Sequence, residues 1–381
     1  MKPFIVFTYL FVLVKCGFCS DGPPNKDFVL INEQVWVLQD TALKVFDLST
    51  GEHLFEKLKT ETAISSIAKD LNNNIVVDQG HEIKRLDVKT LQWHTIGSFN
   101  KDLTLFKIFF NKQNHCFLLT DIGVVDLKTG EGWFPGPEVS LNLRSGNNKR
   151  WDPAQIKPDA WIDNFDNIWI YYFLGEWGGD MFIFNTHLKQ FIKPDGDFSP
   201  GYVFAGDQHV YCSSWGSFFG FDIAPGASCC YKITGHQIYS VSDNEVDAES
   251  EKRYGSYNTQ YHIGMAAVNP SDGKIYFLCD FGLYNGDPDL SLKTIDLWTK
   301  VKEFHLQPQN IKSAKHEERV YYSSDYTQKF TSEKEYDPTI PHDMWKMAFT
   351  DNGKLVFISY HDGLGVFDGK KITILDSSSS F

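Results

Sequence analysis

Residues 161–191 read WIDNFDNIWIYYFLGEWGGDMFIFNTHLKQF, and the stretch divides into short strands joined by tight turns. Trp161 and Ile162 open the first strand, Asp163-Asn164-Phe165-Asp166-Asn167 supplies a polar turn, and Ile168-Trp169-Ile170-Tyr171-Tyr172 is a β-branched and aromatic run of strand length. Glu176-Trp177-Gly178-Gly179-Asp180 forms the next turn, Met181-Phe182-Ile183-Phe184 the third strand, and a fourth follows a polar break at Asn185-Thr186-His187. An antiparallel meander of this size is the repeating unit of a β-propeller blade, and one such sheet alone leaves both of its faces open to water.

Copies are therefore expected, and the second strand marks them. It recurs as Val35-Trp36-Val37, Ile75-Val76-Val77, Phe117-Leu118-Leu119, Ile168-Trp169-Ile170, Val210-Tyr211-Cys212, Ile275-Tyr276-Phe277 and Val356-Phe357-Ile358. After each comes a turn and a third strand closing on a carboxylate or amide, at Asp47, Asp87, Asp126, Asn185, Asp222, Asp296 and Asp368, with 294–297 read as the third strand of the sixth copy. The first four spacings between markers are 40, 42, 51 and 42 residues, the length of one blade each. The last two, 65 and 81 residues, exceed it. Residues 243–256 are charged and rich in Ser and Asn, and read as an insertion loop; Arg319-Val320-Tyr321-Tyr322 is the marker of an additional, degenerate blade if there is one. The expectation is an all-β propeller of seven four-stranded antiparallel blades, with eight as the alternative. A β-sandwich would not repeat a four-strand cassette with the same turn chemistry.

Residues 4–14 form an apolar run behind Lys2, too short to span a bilayer and suited to a signal-peptide core, with Gly17 and Cys19 as small residues before cleavage at Ser20. The expected organisation is a signal peptide at 1–19 and one propeller domain at 20–381, secreted or periplasmic, monomeric and without a membrane span. The mature chain would carry 34 basic against 49 acidic residues, a net charge of −15, which excludes a nucleic-acid partner. Five cysteines would remain: Cys116, Cys212 and Cys279 in or beside marker strands as small apolar residues, and Cys229-Cys230 in a turn. Their odd number and spacing fit neither a disulfide framework nor a zinc site, with a single bridge from the Cys229-Cys230 pair to another loop as the alternative, and no cofactor motif is present.

Residues 162–170 with 178–184, and 349–358 with 362–369, resemble the repeats of secreted two-component-regulator-type and streptogramin-lyase-like propellers, where a polar Asp/Asn/Gly turn precedes an aromatic strand. The resemblance implies a fold; propellers host binding modules and enzymes alike.

Blade geometry locates the working face. The loop into the first strand and the turn between second and third strands emerge at the same end of each blade, around the channel mouth. The leading positions include Asp159, His262 and His342-Asp343; the second-to-third turns contribute Trp177, Trp215 and His361-Asp362. These eight residues are the candidate ligand-binding set, for a small molecule, glycan or protein, with Trp177 and Trp215 as aromatic platforms. The competing class is a lyase or hydrolase in which His262, His342 and His361 act with nearby carboxylates, with or without a divalent metal. No catalytic or metal-binding residue can be assigned from the sequence. The recurring Asp at the end of each third strand is expected to hydrogen-bond the following turn, because repetition in every frame argues for structure.

Overall fold

A computed structural model describes residues 26–39, 41–59, 63–136, 151–152, 158–173, 179–192, 202–205, 209–214, 217–222, 265–279, 282–287, 299–302, 317–322, 329–334, 344–359 and 363–376. The described secondary structure is all strand. The first sheet holds β1 (Asp27–Ile31), β2 (Gln34–Leu38), β3 (Ala42–Asp47) and β4 (His53–Lys59); the second holds β5 (Ile67–Lys69), β6 (Ile75–Gln79), β7 (Glu82–Asp87) and β8 (Gln92–Ser98). The third comprises β9 (Leu105–Phe110), β10 (Cys116–Thr120), β11 (Gly123–Asp126) and β12 (Gly132–Trp133), and the fourth β13 (Asp159–Ile162), β14 (Asn167–Phe173), β15 (Gly179–Asn185) and β16 (Gln190–Ile192). In the fifth sheet three strands are described, β17 (Tyr202–Ala205), β18 (His209–Ser214) and β19 (Ser217–Asp222). The sixth has β20 (Ala266–Val268), β21 (Ile275–Cys279), β22 (Gly282–Gly286) and β23 (Thr299–Lys302). A two-stranded hairpin, β24 (Glu317–Tyr322) and β25 (Lys329–Lys334), precedes the last sheet of β26 (Met344–Phe349), β27 (Leu355–Ser359), β28 (Gly363–Phe367) and β29 (Ile372–Asp376). Six sheets thus have four antiparallel strands, paired in chain order.

All seven marker runs are second strands of their sheets, and their unbroken apolarity has a packing cause. Successive side chains of a strand point to opposite faces, and in the first three sheets both faces of the marker strand are covered by a neighbouring sheet. Val35 and Val37 pack toward Val356 and Ile358 of the last sheet, whereas Trp36 packs toward Ile75 and Val77 of the second. Val76 in turn faces Leu118, and Phe117 and Leu119 face Ile168 and Ile170. The interior is a series of slabs between sheets, of which Cys116 is part, its free thiol pushed up to about 12 by burial.

Inner strands lie side by side around the channel: β1 against β5, β5 against β9, β9 against β13, β13 against β17, β17 against β20, and β20 against β26. The last sheet then packs on the first, closing an all-β propeller. The first and last described strands, 27–31 and 372–376, lie in adjacent sheets, each paired within its own sheet.

One expectation changes. The third strand of the sixth sheet is β22, not residues 294–297, because β21 turns back at once, pairing Cys279 with Gly282; Asp296 lies outside the described residues. Arg319-Val320-Tyr321-Tyr322 lies in β24 and pairs with β25, and β20 contacts β26. The insertion at 243–256 and the leader at 1–19 lie outside the described residues. Among the described residues no helix is long and apolar enough to cross a membrane.

Candidate functional site

Turn chemistry separates the two ends of the ring. At the end carrying the first-to-second turns, a side-chain oxygen just after the inner strand binds the amides of its own turn: Asp70 those of Asn72 and Asn74 (both 2.9 Å), Asn111 those of Gln113 (3.1 Å) and His115 (2.9 Å), and Asp163 those of Phe165 (2.7 Å) and Asn167 (2.9 Å). The third strands end in the same fashion, as expected: Asp47, Asp87, Asp126, Asn185 and Asp368 each accept two amides of the following turn. Those groups are occupied in holding backbone.

At the other end, where the inner strands begin, two carboxylates also tie loops down. Asp78 accepts the Ser65 (2.9 Å) and Ser66 (2.7 Å) amides, and Asp121 is buried and accepts the Thr104 amide at 3.0 Å. Asp159 is different. It is the first residue of β13, its side chain is 53% exposed, and its carboxylate meets the ammonium of Lys107, the third residue of β9 in the preceding sheet. Its Oδ1 also accepts the Ala160 amide (2.7 Å), and its Oδ2 the Tyr171 hydroxyl (2.9 Å).

The same arrangement recurs across the closure. Asp27, first residue of β1, accepts the Phe28 amide at 2.7 Å and pairs with Lys346, third residue of β26. Lys107 is attracted by Asp27 as well as by Asp159. Partial desolvation by the surrounding strands opposes both charges, but the attraction prevails: Asp159 is held below the usual carboxylate range by Lys107, the Ala160 amide and Tyr171, and Lys107 is raised above the usual lysine range. A carboxylate stabilised in its ionised form is a poor proton acceptor at neutral pH, since general bases work best with a pKa near the working pH. What Asp159, Lys107 and Tyr171 offer is adjacent hydrogen-bond acceptors and donors with no net charge.

Of the eight residues selected from the sequence, Asp159 falls within this cluster. Trp177, Trp215, His262, His342, Asp343, His361 and Asp362 lie outside the described residues. The strands that flank them, β14 and β15, β18 and β19, β27 and β28, and the starts of β20 and β26, put the adjoining strand ends at the same end of the ring as Asp159. Among the described residues no group of three or more His, Cys, Asp or Glu is placed to hold a metal. Sequence reasoning missed Asp27, Lys107, Tyr171 and Lys346. The signal available was an Asp opening one first strand and a Lys third in the preceding first strand, legible only once first strands are aligned.

These features define the chain as a β-propeller with a charge-paired channel end. No protein-family model matches it, nor does any curated protein. Among solved structures it is similar to the extracellular domain of a putative hybrid two-component system from B. thetaiotaomicron, with 14% identity and a TM-score of 0.48 over 92% of this chain and 41% of that one. Virginiamycin B lyase from Staphylococcus aureus matches at 9% identity and a TM-score of 0.47, over 90% and 94% of the two chains. The WD40 propeller domain of Doa1 matches at 11% and 0.48, over 92% and 94%. Both propeller classes suggested by the sequence repeats are thus represented, at the level of fold; the chain spans less than half of the two-component protein's matched chain.

Proposed function

We propose that the chain is a secreted or periplasmic, monomeric, non-enzymatic propeller of seven blades that binds a small polar molecule, glycan or protein through the face where its inner strands begin. Support for seven comes from the seven sheets whose first strands contact one another in sequence, with the β24–β25 hairpin read as an insertion between the sixth and the last. The binding reading is carried by one observation, the half-exposed Asp159 locked as an anion between Lys107 and Tyr171 at the channel end. Such a cluster suits a ligand rich in hydroxyl or amide groups better than an ion of either sign, because its charges are already neutralised in place. Leading loops and second-to-third turns, whose backbone is not needed for the sheet, are free to carry recognition.

Screening the purified chain on a glycan array and titrating the best ligand tests this. Asp159→Ala, Lys107→Ala, Trp177→Ala and Trp215→Ala should each weaken binding by about tenfold or more, with circular dichroism unchanged. Lys112→Ala and Lys274→Ala, at the opposite end, should leave it intact. Loss of affinity in the second pair alone would place the site on the wrong end. Turnover of the ligand abolished by His262→Ala or His342→Ala at unchanged affinity would make the protein an enzyme.

A further inference from the structure

Among the described residues, the boundary between the last sheet and the first is crossed by no peptide and no shared strand. Its polar contacts there are all made by side chains, at three corners. At the channel end, Lys346 pairs with Asp27, donates to the Phe28 carbonyl at 2.8 Å and lies 4.9 Å from the centre of the Phe28 ring. At the opposite end of the inner strands, Lys354 Nζ is 3.0 Å from Glu33 Oε2 and 3.1 Å from the Leu48 carbonyl, and the Asn352 amide donates to Glu33 Oε1 at 2.6 Å. On the outer side, Lys44 Nζ lies 2.7 Å from Asp376 Oδ2. Between the corners sits an apolar slab that includes Phe28, Val37, Ile358 and Val366.

We propose that this boundary is an electrostatic latch, in which three lysine–carboxylate pairs replace the missing chain connection and release the first and last sheets from each other when mobile ions screen them. The paired side chains keep between 18% and 44% of their exposure, so salt reaches them, as it would not reach charges in a sealed core. One such pair alone contributes little; opening the boundary breaks all three together. The first-to-second boundary is the internal control. There the chain crosses, and among the described residues the inner strands are joined by Lys69 to the Leu30 carbonyl at 2.9 Å, with no ion pair.

Hydrogen exchange of the full chain, read by mass spectrometry in about 0.02 M and about 0.5 M sodium chloride, tests the latch. Amides of β1, β2, β27 and β28 should exchange about tenfold faster at the higher salt, and those of β6 and β7 less than about twofold faster. Lys44→Met combined with Lys354→Met should reproduce the fast exchange at low salt. A permuted chain, with residue 376 joined to residue 26 by a flexible linker and new ends within 137–150, should lose the salt response. Equal acceleration of first and second sheets in the natural chain overturns the proposal, and that comparison decides even if the permuted chain does not fold. Persistence of the salt response in a folded permuted chain overturns it too.

Discussion

Asp163 accepts four hydrogen bonds: two from the Phe165 and Asn167 amides, one from the Asn167 side chain and one from the Trp169 indole, the last two at 2.9 Å. Trp169 is fully buried at the marker position, so its N–H has no route to water. Asp163→Ala should therefore destabilise the chain by about 3 kcal/mol or more, because several buried donors lose their acceptor at once. Urea unfolding checks it, and a loss below about 1 kcal/mol would show that the indole finds another partner.

Asp78 tests the opposite sign. Burial raises its pKa, against the Ser65 and Ser66 amides that lower it. Its folded form binds a proton more tightly than the unfolded chain does, so its contribution to stability falls as pH rises from the ordinary carboxylate pKa through the raised folded value. Asp78→Asn keeps an acceptor and removes the charge; stability at about pH 7 should equal or exceed that of the natural chain, whereas Asp78→Ala should be lower. In contrast, hydroxyl and amide donors from Ser49 and Thr50 lower Asp47 to about 2, and backbone amides lower Asp87 and Asp368. Stability from these turns is present above the unfolded pKa and is lost as pH falls through the folded one. The acid limb of a stability–pH curve should thus become shallower in Asp47→Asn.

At the scale of elements, the hairpin turns share one backbone. Gly51 and Gly130 take positive φ (76° and 73°) four residues after the turn Asp, and Leu91 (55°) and Lys189 (53°) take it in the sister turns. A side chain there strains against its own carbonyl, so Gly130→Ala, where an added Cβ would meet no neighbour within 4 Å, should destabilise by about 1 kcal/mol. An unchanged or higher urea midpoint would contradict that. The second strands and turn aspartates were legible in the sequence because burial between two sheets forces continuous apolarity and each turn needs an acceptor. Other elements were not. The sixth third strand, Gly282-Leu283-Tyr284-Asn285-Gly286, carries little hydrophobic pattern, and Thr294-Ile295-Asp296-Leu297 imitates what it lacks. First strands are as short as three residues and break the pattern with Asp27, Lys107, Asp159 and Lys346, the charges that pair between neighbouring first strands. The β24–β25 hairpin lies outside the run of inner strands, so replacing residues 317–334 by a short Gly-Ser linker should leave the melting temperature within a few degrees. A collapse of the transition would make the hairpin part of the ring.

For the whole molecule, closure leaves the two ends of the channel chemically unlike. One end is a belt of turns that tie sheet to sheet, as when the Leu71 amide donates to Asn114 and the Lys112 amide to Asp166. The other presents Asp159, Lys107 and Tyr171. Carbodiimide footprinting of carboxylates, with and without the array-selected glycan, compares the ends most directly. Asp159 should be labelled in the free chain and protected by the ligand, while the exposed Asp272 and Asp351 of the opposite end stay equally reactive. Protection of Asp272 and Asp351 with Asp159 still labelled would contradict the account.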